Sequence, residues 1–308
     1  MSLSRVAPLT VSLAIAACVP AAEAVEAAPQ APAAEASAAP AEISPPPAPQ
    51  PTARAMDDLL VFEGELTQGG WIRGKLPPGK WVAALGNDEV KVGPDGSFFA
   101  AFDRDSAASI EFQAIDDNLI EVKKALAIAP RDWKIEHVNV ARRPGGASEA
   151  YMKIRQPELD AIWNARLKET GAQGWRQDFI WPVKGRISGR FGSQRIYRGE
   201  PGRYHSGIDI TTGTSGTPYV APADGVVVLA VQGYSLEGKL LIIDHGNGLN
   251  SAFLHSSRLY VKEGDVAKQG QHVGDIGASG RATGPHLHWS IKWKNARLDP
   301  LLFTGPMN

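Results

Sequence analysis

Two short stretches hold side chains with the right types and spacing for metal chemistry: "HSGID" at residues 205–209 and "GPHLHW" at residues 284–289. The chain has seven histidines in all, and three of them fall in these stretches. Successive side chains of a β-strand point to opposite faces, so residues two or four apart share one. His286 and His288 therefore project together across Leu287, and His205 and Asp209 share a side if their segment is extended. Nitrogen and carboxylate donors are what a catalytic Zn2+ uses, three from the protein with a fourth position left to water. His205, Asp209 and one histidine of the later pair make such a set, which leaves the other histidine of the pair beside it. A further histidine, His255, follows the apolar run of "FLHSS".

These residues need strands to position them, and the chain supplies strands. From Phe179 to Phe303 short apolar runs alternate with glycine-rich turns: "GRISGRFG", "GVVVLAVQG", "KLLIIDHG", "HVGDIGASG", "HLHWSIKW". No helical period of useful length interrupts them. Residues 56–131 show the same habit in shorter pieces, "LLVFEGEL", "GGWIRGKL", "GPDGSFFAAF", "SIEFQAID", and predict a small β-sandwich without a histidine. Between the two regions, residues 132–178 carry the main helical signal. Pro157 is expected to open that helix in its first turn, with Ile162, Trp163 and Leu167 on one face and Gly171 and Gly174 ending it. The expected fold class is therefore all-β, with a sandwich over 56–131, a helical connector over 132–178 and an antiparallel β domain over 179–305.

Several stretches resemble one family in its own order: "GRFGSQRIYRGEPGRYHSGIDI", "GTPYVAPADGVVV", "IIDHGNG", "FLHSS" and "VKEGDVAKQGQHVGDIGASGRATGPHLHW", then "LDPLLF". The family is the LytM or lysostaphin-type zinc metallopeptidases, which cut peptide cross-links of peptidoglycan. The resemblance covers residues 181–303, and residues 56–131 resemble the N-terminal β domain that precedes it in Gram-negative members. It implies His205, Asp209 and His288 as Zn2+ ligands, with His255 and His286 as unligated active-site histidines. One of that pair is expected to take a proton from the attacking water, the other to stabilise the oxyanion. The family's transition-state tyrosine is not assigned, because Tyr197 and Tyr204 both stand nearby. The family's "HLS" is replaced here by His255-Ser256-Ser257, which puts a groove contact in doubt. No ligand role is expected for His137, for His245, read as a turn residue, or for His272, read as an exposed strand residue. Arg281 and Thr283 are expected either to shape the loop or to meet substrate.

Composition narrows the partners. Thirty-two basic residues against 33 acidic ones give a net charge of -1, so no polyanion-binding surface and no nucleic-acid partner are expected. The apolar stretch from Val6 to Ala17 is too short to span a bilayer and reads as an export signal. It runs into Ile15-Ala16-Ala17-Cys18, which resembles a bacterial lipobox, so residues 1–18 are read as a lipoprotein signal peptide, the alternative being an ordinary signal peptide cut after Ala24 in Ala22-Glu23-Ala24. A lipid on Cys18 would tether the protein to a membrane surface. Cys18 is the only cysteine, which excludes an internal disulfide and thiolate chemistry in the folded body. Residues 19–55, rich in Ala and Pro, read as a disordered tether. Export, lipobox and resemblance together imply the periplasm of a Gram-negative bacterium and a DD-endopeptidase acting on the D-alanine to meso-diaminopimelate bridge. The alternative is a non-catalytic regulator of another cell-wall hydrolase. A lipoyl-type carrier, suggested by "VKEGDVAKQGQHVGDIG", lacks a lysine displayed at a tight turn.

Overall fold

Residues 59–141 and 148–307 are described by a computed structural model, together with the backbone of Thr52–Ala53. The expected signal peptide, Cys18 and nearly all of the tether lie outside these residues. Within the tether range, Thr52–Ala53 (β1) forms a short parallel edge beside a later strand.

Alternating apolar residues build the first module. Its strands are β2 (Val61–Gly64), β3 (Trp71–Lys75), β4 (Trp81–Leu85), β5 (Asp88–Val90), β6 (Ser97–Ala101), β7 (Ser109–Asp116) and β8 (Ile120–Ala127). They pair as one sheet in the order β1-β8-β7-β4-β5 and a second in the order β2-β3-β6. On β7, Phe112 and Ala114 point inward between exposed Glu111 and Gln113. Strand β6, "SFFAA", is buried along its whole length because it is covered on both sides. Phe98 stacks on Phe112 inside the sandwich, with ring centroids 4.9 Å apart. Phe99 faces the other way, into Trp71 and Phe303. Phe303 belongs to the short helix α2 (Leu301–Thr304), so the first module is packed against the C-terminal end of the chain. Trp71 Nε1 donates to Leu302 O at 2.9 Å, and Arg131 pairs with the buried Asp299 carboxylate at 2.8 Å.

The connector holds more than a helix. Strand β9 (Ile135–Val138) pairs in parallel with a strand of the next module, and helix α1 spans Glu149–Arg166. Ser148 caps α1 by accepting from Tyr151 N at 3.2 Å, upstream of the expected start. Pro157 therefore lies inside the helix. The buried residues of α1 are Arg155, Glu158 and Ala165, whereas Trp163 and Leu167 are 51% and 59% exposed. Ile162 and Trp163 are adjacent, about 100° apart around the helix, so they cannot share a narrow inward stripe. The helix ends at Arg166 with Leu167 as its C-cap, ahead of Gly171, and Gly174 starts a short 3-10 turn.

The second module runs through β10 (Arg186–Gly189), β11 (Gln194–Tyr197), β12 (Glu200–Pro201), β13 (Ile208–Thr211), β14 (Pro218–Val220), β15 (Gly225–Tyr234), β16 (Gly238–Gly246), β17 (Leu249–Ser256), β18 (Arg258–Leu259), β19 (Val266–Ala267), β20 (His272–Asp275), β21 (Leu287–Trp293) and β22 (Ala296–Leu298). Its main sheet has the order β10-β13-β21-β17-β16-β15-β19, and neighbouring strands are antiparallel. One face carries Ile208, Leu241, Phe253, Trp289 and Ile291, all fully buried; Tyr219 of the small β14-β20-β18 sheet stacks on Phe253 at 5.3 Å. The opposite face is divided. Helix α1 covers one end, where Ala165 packs with Val228, Leu240, Ile242 and Ala252. The other end presents histidines.

Candidate metal centre and active site

Register aligns the donors. Asp209 on β13 lies directly opposite His288 on β21, and His288 lies opposite Leu254 on β17. His205 approaches from the segment before β13. His205 Nε2 stands 3.1 Å from Asp209 Oδ1 and 3.1 Å from His288 Nδ1, and His288 Nδ1 stands 2.9 Å from the same carboxylate oxygen. Four-coordinate zinc with bonds of about 2.0–2.1 Å needs neighbouring ligand atoms roughly 3.3 Å apart. The triangle formed by these three atoms therefore fits that ion, and the donor set is one zinc favours.

Glycines leave room for the triangle. A Cβ on Gly189 would lie 2.3 Å from Asp209 Oδ2, and one on Gly207 would lie 2.8 Å from His288 Nε2. The ring of His205 is oriented from behind, where Nδ1 donates to Arg190 O at 3.1 Å and leaves Nε2 with its lone pair toward the centre. Electrostatics favour the metal-binding form at Asp209 and His288, whereas His205 must lose its proton to bind. Burial opposes the Asp209 carboxylate, but the adjoining His205 and His288 rings prevail and hold its carboxyl well below the usual range. Burial likewise keeps His288 below the ordinary histidine value, while for His205 the Asp209 carboxylate overcomes burial and raises it. An ionised carboxylate and a neutral imidazole are the forms that bind a divalent cation.

Beside the triangle stand His255 and His286. Their ring centroids are 5.0 Å apart, and His286 Nε2 lies 3.8 Å from Asp209 Oδ1. His286 Nδ1 donates to Gly284 O at 2.8 Å and His255 Nδ1 to Ser279 O at 2.9 Å. Backbone carbonyls thus select the tautomer in both rings and leave each Nε2 as the working nitrogen. Burial, more than any neighbour, lowers the pKa of His255.

His255 has a backbone φ of +67° at a register shift between β16 and β17. Such a conformation costs a non-glycine residue about 1–3 kcal/mol, so the surroundings must hold it. Here the His255 N–H donates to Glu237 O at 2.9 Å. The buried Glu237 carboxylate in turn takes both arms of Arg155 from α1, at 2.6 Å each. Arg155 also binds Glu158, which accepts from Ser235 N and Oγ at 2.7 and 2.6 Å. A buried ion triad thereby fixes the turn that holds His255. Sequence reading missed Arg155, Glu237, Ser279, Gly189 and Gly207. Of these only the glycine inside "HSGID" left a visible trace.

The remaining residues separate from the cluster. His245 is a fully buried strand residue rather than a turn residue. Its Nδ1 donates to Asp224 O at 2.8 Å, its Nε2 accepts from Ser251 Oγ at 2.9 Å, and burial pushes it down to about 4. His272 lies exposed on β20, with Nε2 bonded to Asp275 at 2.8 Å. His137 lies exposed on β9. Tyr204 sets its ring against Phe191 and the Arg104 guanidinium, and Tyr197 lies on β11. Ser256 bonds the Tyr219 hydroxyl at 2.8 Å, and Ser257 caps Ile276 O at 2.9 Å. The loop carrying Arg281 is fixed by its own backbone, Arg281 N donating to Leu236 O at 2.9 Å, while Thr283 is exposed.

Comparison with known proteins concentrates on this module. Residues 203–300 match the family model described as Peptidase family M23. The chain is 38% identical over 133 residues to the peptidoglycan DD-endopeptidase ShyA of Vibrio cholerae, covering 41% of this chain and 30% of that protein. It is 36% identical over 130 residues to the lipoprotein NlpD/LppB homolog of Pseudomonas aeruginosa, covering 42% and 39%. Against the murein hydrolase activator NlpD of Escherichia coli it is 33% identical over 129 residues, covering 42% and 31%. The match thus spans about a third of the length of these relatives. A crystal structure of an M23 peptidase candidate from Pseudomonas aeruginosa covers 78% of this chain and 96% of its own, with a TM-score of 0.60 at 25% identity.

Proposed function

We propose that this chain, which carries a peptidase family M23 domain at residues 203–300, is a zinc metalloendopeptidase that hydrolyses peptide cross-links of peptidoglycan. The observation that carries this reading is the convergence of His205, Asp209 and His288 donor atoms within 3.1 Å, beside two histidines whose Nε2 atoms are uncommitted. In this reading His205 Nε2, Asp209 Oδ1 and His288 Nδ1 would hold a zinc ion, which would supply an acidified water and a polarised scissile carbonyl. His286 and His255 do the rest: one Nε2 accepts the proton of the attacking water, and the other, as an N–H donor, meets the oxygen on which charge develops. The Ser279 carbonyl holds the His255 ring from its Nδ1 side, which leaves Nε2 free for that role. DD-endopeptidase action is the first substrate assignment, in line with the relative from Vibrio cholerae that bears that name.

Similarity to relatives named murein hydrolase activator supports a second reading, a non-catalytic regulator that activates another cell-wall hydrolase. Under either reading we place the protein in the periplasm of a Gram-negative bacterium, anchored through Cys18. We likewise propose the 56–131 module, the 132–178 connector and the 179–305 module as its working parts. Digestion of purified sacculi with the full chain, with and without a chelator, and mass identification of the fragments separates the two. Chelator-sensitive release of uncross-linked muropeptides supports the enzyme; intact sacculi at full zinc occupancy support the regulator.

A further inference from the structure

The face of β21 that carries His288 continues through Ser290 to Lys292, and at that end the charges do not balance. A cleft of about 440 Å³ lies between the C-terminal half of α1 and the sheet, lined by Ser206, Ser290, Lys292, Arg166 and Arg297 and by one carboxylate, Asp160. Ser206 follows His205 in the chain, so the cleft opens from the proposed metal centre. Among the described residues, none of the three cations has a carboxylate at ion-pair distance. Arg166 bonds the amide oxygen of Asn250, Arg297 reaches the Tyr204 hydroxyl at 3.4 Å, and the Lys292 ammonium has no hydrogen-bond partner among the described residues. The nearby acids make their hydrogen bonds elsewhere than to the three cationic side chains. Asp160 accepts from Gln156 at 2.7 Å, Asp103 accepts from Arg297 N at 2.8 Å, and Glu237 is held by Arg155. Burial first, then repulsion from Arg166 and Arg297, lowers the Lys292 ammonium to about 8. Burial and Arg297 lower Arg166 to about 10. Three cations share this partly buried cleft with a single lining carboxylate, Asp160, and that excess of positive charge is arranged for an anion.

We infer that Lys292 and Arg297, backed by Arg166, form a subsite for a free carboxylate on the peptide that occupies the cleft. This inference rests on the peptidoglycan reading of the neighbouring centre. Four residues of strand separate His288 from Lys292, about 13 Å, and an extended peptide covers that span in about four residues. The carboxylate recognised is therefore three or four residues along the peptide from the bond at the metal. Stem peptides of peptidoglycan carry free carboxylates, and amidation removes their charge without much change in size. Discrimination between the two forms is the property the subsite confers.

The test is calorimetric titration of the zinc-loaded full chain, carrying His286→Ala to block turnover. The probes are a soluble cross-linked muropeptide and the same muropeptide with its carboxylates amidated. The free acid should bind about tenfold more tightly than the amide, the value of one charge-assisted contact. Lys292→Gln combined with Arg297→Gln should abolish that difference and leave amide binding unchanged, while Lys292→Arg retains it. Lys292→Glu should invert the preference. Neither Lys292 nor Arg297 is paired with a carboxylate, so these variants should fold, as a thermal melt checks. Equal affinity for acid and amide, failure to bind either, or a preference that survives the double substitution overturns the subsite. The wild-type sacculus digest separates this from the wider reading: cleavage without discrimination removes only the subsite, and discrimination without cleavage removes only the peptidase.

Discussion

The two faces of strand β21 use the same backbone for opposite ends. Leu287, Trp289, Ile291 and Trp293 point into the core and are at most 1% exposed. His288, Ser290 and Lys292 point the other way and remain in reach of solvent. On the core face selection acts through volume and dryness. On the histidine face, groups that would prefer water are held by carbonyls, a carboxylate and an ion triad, so the stability supplied by the first face tolerates the strain of the second. This contrast predicts that substitutions on one face change stability and those on the other change chemistry.

The largest effect should come from the histidine face. His286→Ala is expected to lower turnover of cross-linked muropeptide by about 10²- to 10⁴-fold while thermal stability holds, as steady-state kinetics and a melt will show. A variant with full turnover would break the contrast. Next comes the core face. Trp289→Ala removes a fully buried indole and should cost about 3–5 kcal/mol in denaturant unfolding. Loss of less than about 1 kcal/mol would mean that the face is not sealed.

Arg155 sharpens the comparison because it belongs to both categories. Arg155→Leu strands the buried Glu237 and Glu158 carboxylates and should cost about 3 kcal/mol. It also frees the turn that holds His255, so turnover should fall with zinc content unchanged. Stability loss without loss of turnover would show that the brace is only structural.

The smallest expected effect is a pH dependence. His245 is buried and neutral, with its folded pKa lowered to about 4 against about 6.5 when unfolded. Its contribution is complete above pH 6.5 and is lost as the pH falls from there toward 4, because the unfolded chain takes up the proton first. Between pH 7.5 and 5 the drop is on the order of 2 kcal/mol. In chelator, His245→Gln should flatten part of the acid side of the stability curve measured between pH 7.5 and 5, and an unchanged slope would assign it to other groups.

How far the sequence foretold this structure depended on whether local pattern or distant contact decides. The alternation in "HLHWSIKW" and "SIEFQAID" placed both modules in the all-β class, and the i, i+2 rule put His286 and His288 on one side. The interior of α1 was misjudged because the buried face is ionic: Arg155 and Glu158 read as surface residues until Glu237, some eighty positions later, appears opposite them. Pro157 suggested a start, but the Ser148 cap lies upstream. The positive φ of His255 had no local signal, since a glycine would advertise such a position and a histidine does not. Likewise, the bracing role of Glu237 and Ser279 arises from long-range hydrogen bonds that no spacing encodes.

Metal content measured on purified variants tests the central claim most directly. The wild-type chain, dialysed and assayed by elemental analysis, should hold one zinc per molecule. His205→Ala, Asp209→Ala and His288→Ala should each hold almost none, and His286→Ala and His255→Ala should match the wild type. Zinc retained at full stoichiometry in His288→Ala, or absent from the wild type after loading, would contradict the account.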